Sequence, residues 1–578
     1  MMVLTLENCQ NCTFLPSLGL LSSLKDLTIK GISNLKSISS EIYGGGSCSF
    51  QSLEILCFED LQEWECWNPM EANEQHVVRF PRLRKLSIVK CSKLSGRLPN
   101  HLPSLEELVV RECEQLTVSV SSLPMLCELE INGCKGLTCG SVMEYESLKS
   151  MTLSHFLEFE NWLRQGFQKV EYLKIAGCEE LINLWQNEIC LEQPPKGLNS
   201  FTSLTELYIE GCPSLTFIAT GHLPLSVKQL NIENCDKLQY LVDDREDTCT
   251  SSSSSSAMRM ENINSSSISL LQRLSVSHCP SLTCIFSNGK FPASLKHLEI
   301  KDCSELTMLS PRAQLPEALE VLWIEDCPKL ESIAERFLHN TSLKSIELRF
   351  CENLKSIPEG LHNLSHLIGI IIFHCPSLVS FPEGGLPKTN LNYLYINKCE
   401  KLRALPNHIN SLQGLLIEKC PSVTSFPQEG FPTNLTSLII GGLNINKPLV
   451  EWGLHNLSSL RFLEIYECPE VESFPQEEIG MMLPPSLQRL IIRSFPKLKY
   501  LFPIGFQNLT SLKFLRIAGC PNLTSFPDIG LPSSLLRLYI VDCPLLKKQC
   551  KRNKGREWSK IAHIPYVKID GTFIYDSE

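Results

Sequence analysis

Cysteine is the residue type in this chain with the most chemistry to offer: there are 27. Their spacing is ordered. Cys279, Cys303, Cys327, Cys351, Cys375 and Cys399 recur at intervals of 24, and Cys420 follows after 21, each inside a phrase such as "LEVLWIEDCPKLESI". A thiolate can ligate zinc, attack an electrophile or form half of a disulfide. Only Cys9 and Cys12 make a C-x-x-C, and no second pair or spaced histidines complete four ligands. The phrase recurs 22 times; 17 copies hold Cys at the ninth position and the others hold Ile32, Leu61, Phe156, Leu443 and Phe495. Leucine or phenylalanine cannot replace a ligand or a nucleophile. They can replace a small buried hydrophobe, so the ladder reads as structural, with each S–H able to meet a carbonyl where a strand turns. Stacked strands would bring equivalent Cα atoms within bridging distance. Compartment argues against disulfides: "MMVLTLENCQNC" lacks a charged leader and apolar run, so a cytoplasmic chain with reduced thiols is expected.

No other reactive constellation emerges. There is no phosphate-binding loop, no G-x-S-x-G, no H-E-x-x-H and no dinucleotide fingerprint, and the 13 histidines are scattered. Neither catalysis, a cofactor nor a metal is expected. No segment approaches the ~18 apolar residues of a membrane span. The formal charge is -10, yet residues 545–560 hold seven Lys or Arg against one Glu. The rest of the chain is therefore more acidic still, which argues against nucleic acid as a partner.

The elements that must position these residues follow from the repeat. Aligned on L-x-x-L-x-I-x-x-C-x-x-L, copies run from Leu4, Leu6 and Cys9 to Leu538, Ile540, Cys543 and Leu546, at a mean spacing of about 25, the period of a leucine-rich repeat. Positions four and six point one way along a short strand and enter a core. The stretches "SFPEGGLP", "SFPQEGFP" and "SFPDIGLP" place Phe381 with Leu386, Phe426 with Phe431, and Phe526 with Leu531 on the outer side. Pro and Gly there predict extended chain or short 3₁₀ turns. The expected fold is an α/β-type repeat solenoid of about 22 repeats: a leucine-rich-repeat horseshoe with a concave parallel β-sheet and a mostly irregular, Pro-rich convex side. It should fill residues 1–546, with a Ser-rich disordered insertion at 243–268, inert or regulatory, and a basic capping tail at 547–578. Trp558, Ile561, Ile564 and Tyr566 are the expected cap; a basic targeting patch is the competing reading of the tail. Copies two, three and seven are degenerate.

Positions three, five and seven should face the concave side. Copies thirteen to sixteen place Trp323, Ile371, Phe373, Tyr393 and Tyr395 there; copies nineteen to twenty-two place Phe462, Tyr466, Arg489, Arg493, Phe514, Arg516, Arg537 and Tyr539. Aromatic and Arg side chains are the usual anchors of protein interfaces. Alternatively they only cover neighbouring strands. Glu206, Glu210 and Glu233 read as solvated or repelling. A protein partner with an acidic, partly apolar patch is expected.

The phrase "LxxLxIxxCPxLxSFPxxGLP", whole at 512–532 and present at 367–387 with Ile370 at its second Leu, resembles the repeat domain of plant intracellular nucleotide-binding leucine-rich-repeat resistance proteins of the coiled-coil class. So do "FPRLRKLSIVKCSKLSGRLPNHLPSLEELVV" from Phe80 and "CPLLKKQCKRNKGREWSKIAHIPYVKID" from Cys543. The resemblance implies an immune receptor whose repeats recognise a pathogen effector or guarded host protein and restrain a nucleotide-binding switch domain. Met1 already stands at position one of a copy, so this chain reads as the recognition half, with an open edge expected to fray at its start. A stand-alone repeat scaffold and an extracellular repeat receptor are the alternatives.

Overall fold

The computed structural model describes all residues except 1, 45–48, 68–77, 97, 100, 121–122, 139–146, 156–167, 186–200, 221–222, 244–268, 288–290, 310–313, 338–341, 425–426, 428–429, 443–445, 477–480 and 576–578. Phe156 and Leu443 at the ninth position, Phe426 of the outer pairs, and the Ser-rich insertion beyond Asp243 lie outside the described residues. The chain divides into two units, Met1–Leu295 and Lys296–Glu578.

In the first unit, copies one to eleven each supply a strand, from Met2–Glu7 and Leu24–Lys30 to Gln229–Glu233 and Arg273–Ser277, each parallel to the next. The second unit repeats this from His297–Lys301 to Arg537–Val541. The tail adds Tyr566–Ile569 in parallel and turns back antiparallel through Thr572–Phe573. Registers match position to position: Leu322 faces Ile346, Trp323 faces Glu347 and Ile324 faces Leu348. Outward side chains therefore stack in three columns, at positions three, five and seven.

The core is what the period demands. In copy thirteen, Leu319, Leu322, Ile324, Cys327 and Leu330 are all fully buried, each Leu or Ile stabilising by about 1.5–3 kcal/mol. Strict alternation, however, would turn position eight inward and position nine outward. The backbone solves this at position eight, which takes a positive φ in every copy, for example Lys90 at 56°, Asp326 at 50° and Lys398 at 53°, with glycine at Gly442 and Gly519. The left-handed residue swings the chain so that the ninth side chain enters the core. It keeps the ladder as well, since the N–H of Asp326 donates to the Arg349 carbonyl at 3.0 Å. The next phrase, "CPKL", closes a turn with Leu330 N–H donating to Cys327 O at 3.1 Å, and proline suits its second position.

The convex side is mostly irregular, with 3₁₀ turns at Leu361–Asn363 and Leu454–Asn456. It also forms two-residue parallel ladders, such as Ser37–Ile38 against Cys66–Trp67. Two short α-helices, Asn446–Glu451 and Pro503–Gln507, depart from the expectation of 3₁₀ turns alone. Pro503 opens its helix at a position where no N–H is needed, so proline does not forbid it. The degenerate copies two and three are filled by aromatics: Phe50 stacks on Phe80 at 5.1 Å, and Phe58 meets Trp64 at 4.8 Å.

In the tail, Ile561, Ile564 and Val567 are fully buried, while Trp558 is half-buried and packs edge-on against Tyr575 at 5.9 Å. Tyr566 differs from expectation: alternation sends Val567 inward and sets Tyr566 on the concave side, 5.7 Å from Tyr539. The buried Glu557 accepts the Phe526 N–H at 2.8 Å and pairs with Lys560 at 3.1 Å, tying the tail to copy twenty-one.

Candidate functional site

The cysteine ladder faces inward. Cys279, Cys303, Cys327, Cys351, Cys375, Cys399 and Cys420 are fully buried, whereas Cys9 in the outermost copy is exposed. Each ladder thiol donates back to the carbonyl two residues earlier: Cys303 to Lys301 at 3.2 Å, Cys327 to Glu325 at 3.4 Å, Cys420 to Glu418 at 3.1 Å. The Glu325 and Glu418 carbonyls already accept the eighth-position N–H groups of Asp302 and Lys398 from the preceding copies, so the thiol uses the second lone pair. Burial pushes Cys134 and Cys468 up to about 12, which holds them as unreactive thiols at neutral pH. Among the described residues no group of three or more His, Cys, Asp or Glu could hold a metal ion.

The outward columns are where side chains remain available. In the first unit they are largely paired with one another: Lys85 with Glu107 at 2.7 Å, Arg111 with Glu130 at 2.5 Å, Lys174 with Glu210 at 2.6 Å. Gln229 donates to Glu206 at 3.1 Å, so of the three glutamates expected to be solvated or repelling two have bonded neighbours, and Glu233 has none among the described residues.

In the second unit, Trp323 is half-buried. The Lys301 ammonium sits 3.7 Å above its ring, and its indole N–H reaches Glu325 at 3.1 Å. Ile371 and Phe373 are half-buried, with Phe373 against Phe350 at 5.2 Å. Tyr393 lies over Gly369, where an added Cβ would stand 1.8 Å from the ring, and meets Tyr395 at 5.2 Å. Tyr395 is exposed. Leu416 and Ile439, also in the fifth-position column, continue this apolar strip. Sequence reasoning passed over both because each reads alone as core leucine or isoleucine; the odd position within the copy is the signal that separates them.

Tyr466 is a correction. It is only 2% exposed, pressed over Gly441, with the Arg493 guanidinium 3.8 Å above its ring. Arg493 in turn bonds Glu464 at 2.5 Å. Burial and the neighbouring Glu418 carboxylate push the Tyr466 hydroxyl far above its ordinary range. Asn397 donates to Glu418. Asn397, Glu418, Tyr466, Arg493 and Glu464 thus form one linked cluster, in which Arg493 is matched by Glu464 and the Asn397 side-chain oxygen is buried without a hydrogen-bond partner among the described residues.

Beyond it the face turns basic and aromatic. The third-position column runs Phe462, Arg489, Phe514, Arg537, Tyr566 in register. Arg489 lies 5.4 Å from the Phe462 centroid and 4.8 Å from Phe514, and Phe514 meets Tyr539 at 5.2 Å. Arg489, Arg516 and Arg537 are exposed and have no carboxylate partner among the described residues.

Strand, buried leucines, left-handed eighth residue and inward ninth residue together define a leucine-rich-repeat solenoid. Sequence comparison adds the kind. The family described as plant disease resistance protein RPS2-like, leucine-rich repeats, matches residues 181–328. An Arabidopsis thaliana protein named as disease resistance RPP13-like protein 1 is 30% identical over 40% of this chain and 20% of its own length. A second from the same plant, named as disease resistance protein At3g14460, is 29% identical over 98% of this chain and 44% of its own length. The chain is thus similar over 98% of its length to one plant disease resistance protein, and over residues 181–328 to the leucine-rich repeats of such proteins, as the phrase "LxxLxIxxCPxLxSFPxxGLP" implied. It spans less than half the length of these relatives. Among solved structures, a circular leucine-rich-repeat protein, CroV588, is 17% identical with a TM-score of 0.39, covering 98% of this chain and 85% of the other.

Proposed function

We propose that this chain is the protein-recognition part of a plant immune receptor of the intracellular nucleotide-binding, coiled-coil class. It binds a pathogen effector or a guarded host protein in the cytoplasm through its concave columns. In a full-length receptor the same repeats restrain a nucleotide-binding switch domain, and it acts by binding rather than catalysis. Residues 547–578 close the end of the second unit.

The observation that carries the reading is the outward face of the second unit. Its backbone groups are used in the ladder and its leucines in the core, yet Phe373, Tyr395, Phe514, Arg516, Arg537 and Tyr539 remain exposed or half-exposed on a rigid scaffold. Aromatic and Arg side chains on fixed strands lose little freedom when a partner docks. The mechanism is differential binding: a resting contact to the switch domain exchanged for a contact to the recognised protein. No helix among the described residues is long and apolar enough to cross a membrane.

The test is capture from plant cells with the intact chain as bait, beside a chain carrying Phe373→Ala, Tyr395→Ala and Tyr539→Ala. Defence-linked proteins or a nucleotide-binding module should be retained by the first and weakened about tenfold or more on the second. Retention that ignores these substitutions, or partners wholly outside defence, overturns the reading.

A further inference from the structure

The concave face of the second unit is not uniform. Copies fifteen to eighteen present Ile371, Tyr393, Tyr395, Leu416 and Ile439, with no cation in the central column. Copies twenty to twenty-two and the tail strand present Arg489, Arg516, Arg537 and Lys568, none of them in an ion pair among the described residues. Between the two patches stands the cluster centred on Tyr466, in which the Arg493 guanidinium is already matched by Glu464.

We propose that this face takes one extended protein segment with two unlike ends, an apolar or aromatic end over Tyr395 and Leu416 and an acidic end over Arg489, Arg516 and Arg537. The proposal rests on the reading of the chain as a protein-recognition module and specifies what its partner must carry. Five strand steps separate the strand of Tyr395 from that of Arg516. At ~4.8 Å per step the patches lie about 24 Å apart, which an extended segment crosses in roughly seven residues. The partner therefore carries its carboxylates about seven residues from its apolar anchor.

Charge and packing choose the acidic end. Arg489 and Arg537 alternate with Phe462, Phe514 and Tyr566, and Arg516 sits between Ile491 and Tyr539, so each guanidinium has apolar flanks and no carboxylate beside it in its column. Such flanks limit the rotamers of the guanidinium and thin its hydration, and a carboxylate can then accept a paired, charge-assisted hydrogen bond. A nucleic-acid strand is disfavoured by the other half of the face: it needs cations along its whole track, and the apolar patch has none in its central column. The chain as a whole carries -10.

The experiment uses the full chain and three fluorescein-labelled peptides. One has Trp-Leu, six Gly/Ser residues and Glu-Glu-Asp-Glu; the others carry only one end each. At low salt the two-ended peptide should bind at least about tenfold tighter than either half. Arg516→Glu with Arg537→Glu should abolish that advantage and spare the apolar half-peptide, while a peptide with Lys in place of its acids should recover binding to that variant. Arg516→Gln with Arg537→Gln, a milder pair on the exposed face, should give an intermediate loss with an unchanged melting curve. Equal binding of the two-ended peptide to the intact and charge-reversed chains overturns the proposal. So does failure of all three peptides, or tighter binding of an oligouridine strand. If cellular partners are lost with Phe373→Ala and Tyr395→Ala but not with the Arg substitutions, the two-ended ligand is refuted while the recognition reading stands.

Discussion

The left-handed eighth position makes a sharp prediction at Lys90. Its φ is 56°, its side chain is exposed, and its N–H donates to Arg111 O at 2.9 Å, a bond that any residue but proline keeps. An L-residue in this conformation is strained by about 1–2 kcal/mol, because Cβ approaches the following carbonyl. Glycine removes that strain and loosens the unfolded chain by about 0.5–1 kcal/mol. Lys90→Gly should therefore be neutral or stabilising by up to about 1 kcal/mol, although it inserts glycine directly after a strand. Lys90→Ile, with a branched Cβ, should cost about 2 kcal/mol relative to glycine. Thr152→Gly, at an ordinary strand position, should destabilise by about 1 kcal/mol. Urea unfolding followed by far-ultraviolet circular dichroism measures all three. If Lys90→Gly lowers the midpoint as much as Thr152→Gly does, the role assigned to position eight is wrong.

Three further outcomes are expected. Thiol alkylation of the native chain should modify Cys9 and leave Cys327 and its ladder neighbours untouched until urea is added. Cys134 and Cys468 titrate near 12 in the folded chain against about 9 when exposed, so their contribution is complete below pH 9 and fades as pH rises toward 12. The urea midpoint should thus fall above pH 9, reflecting a loss of about 1.4 kcal/mol of stability per thiol at pH 10. Glu557→Ala removes the acceptor of the buried Phe526 N–H, costing about 1–3 kcal/mol, and hydrogen exchange should quicken in residues 544–575 before the rest of the chain. Gly369→Ala must push the far end of the Tyr393 ring off its seat; the ring can swing outward, so stability should change by no more than about 1 kcal/mol while tyrosine accessibility to iodination increases, and unchanged accessibility would refute that packing.

Much of the architecture could be read from residue order. The positions that face the core, the structural use of cysteine, the irregular convex side and the outward columns all follow from one in-phase pattern of Leu, Ile and Cys. The left-handed turn is legible as well: Gly, Asn and Asp hold twelve of the 22 eighth positions, as at Gly31, Asp60, Asn234 and Asp302, and these are the residues that accept a positive φ most readily. The α-helix at Pro503–Gln507 was hidden because proline at a first helical position and proline in a loop look alike without the backbone.

By itself, the sequence determined which side of each strand a residue occupies, because a side-chain period of two and buried leucines leave no other register. Only the tertiary structure decided which outward residues are still free. Trp323 lies under Lys301 from the copy before, and Tyr466 is closed in between Gly441 and Arg493, whereas Arg516 and Arg537 stand open. These neighbours lie some 20–30 residues away along the chain and meet only because successive copies stack in register. A residue's availability depends on the size and charge of the side chains above and below it in the column.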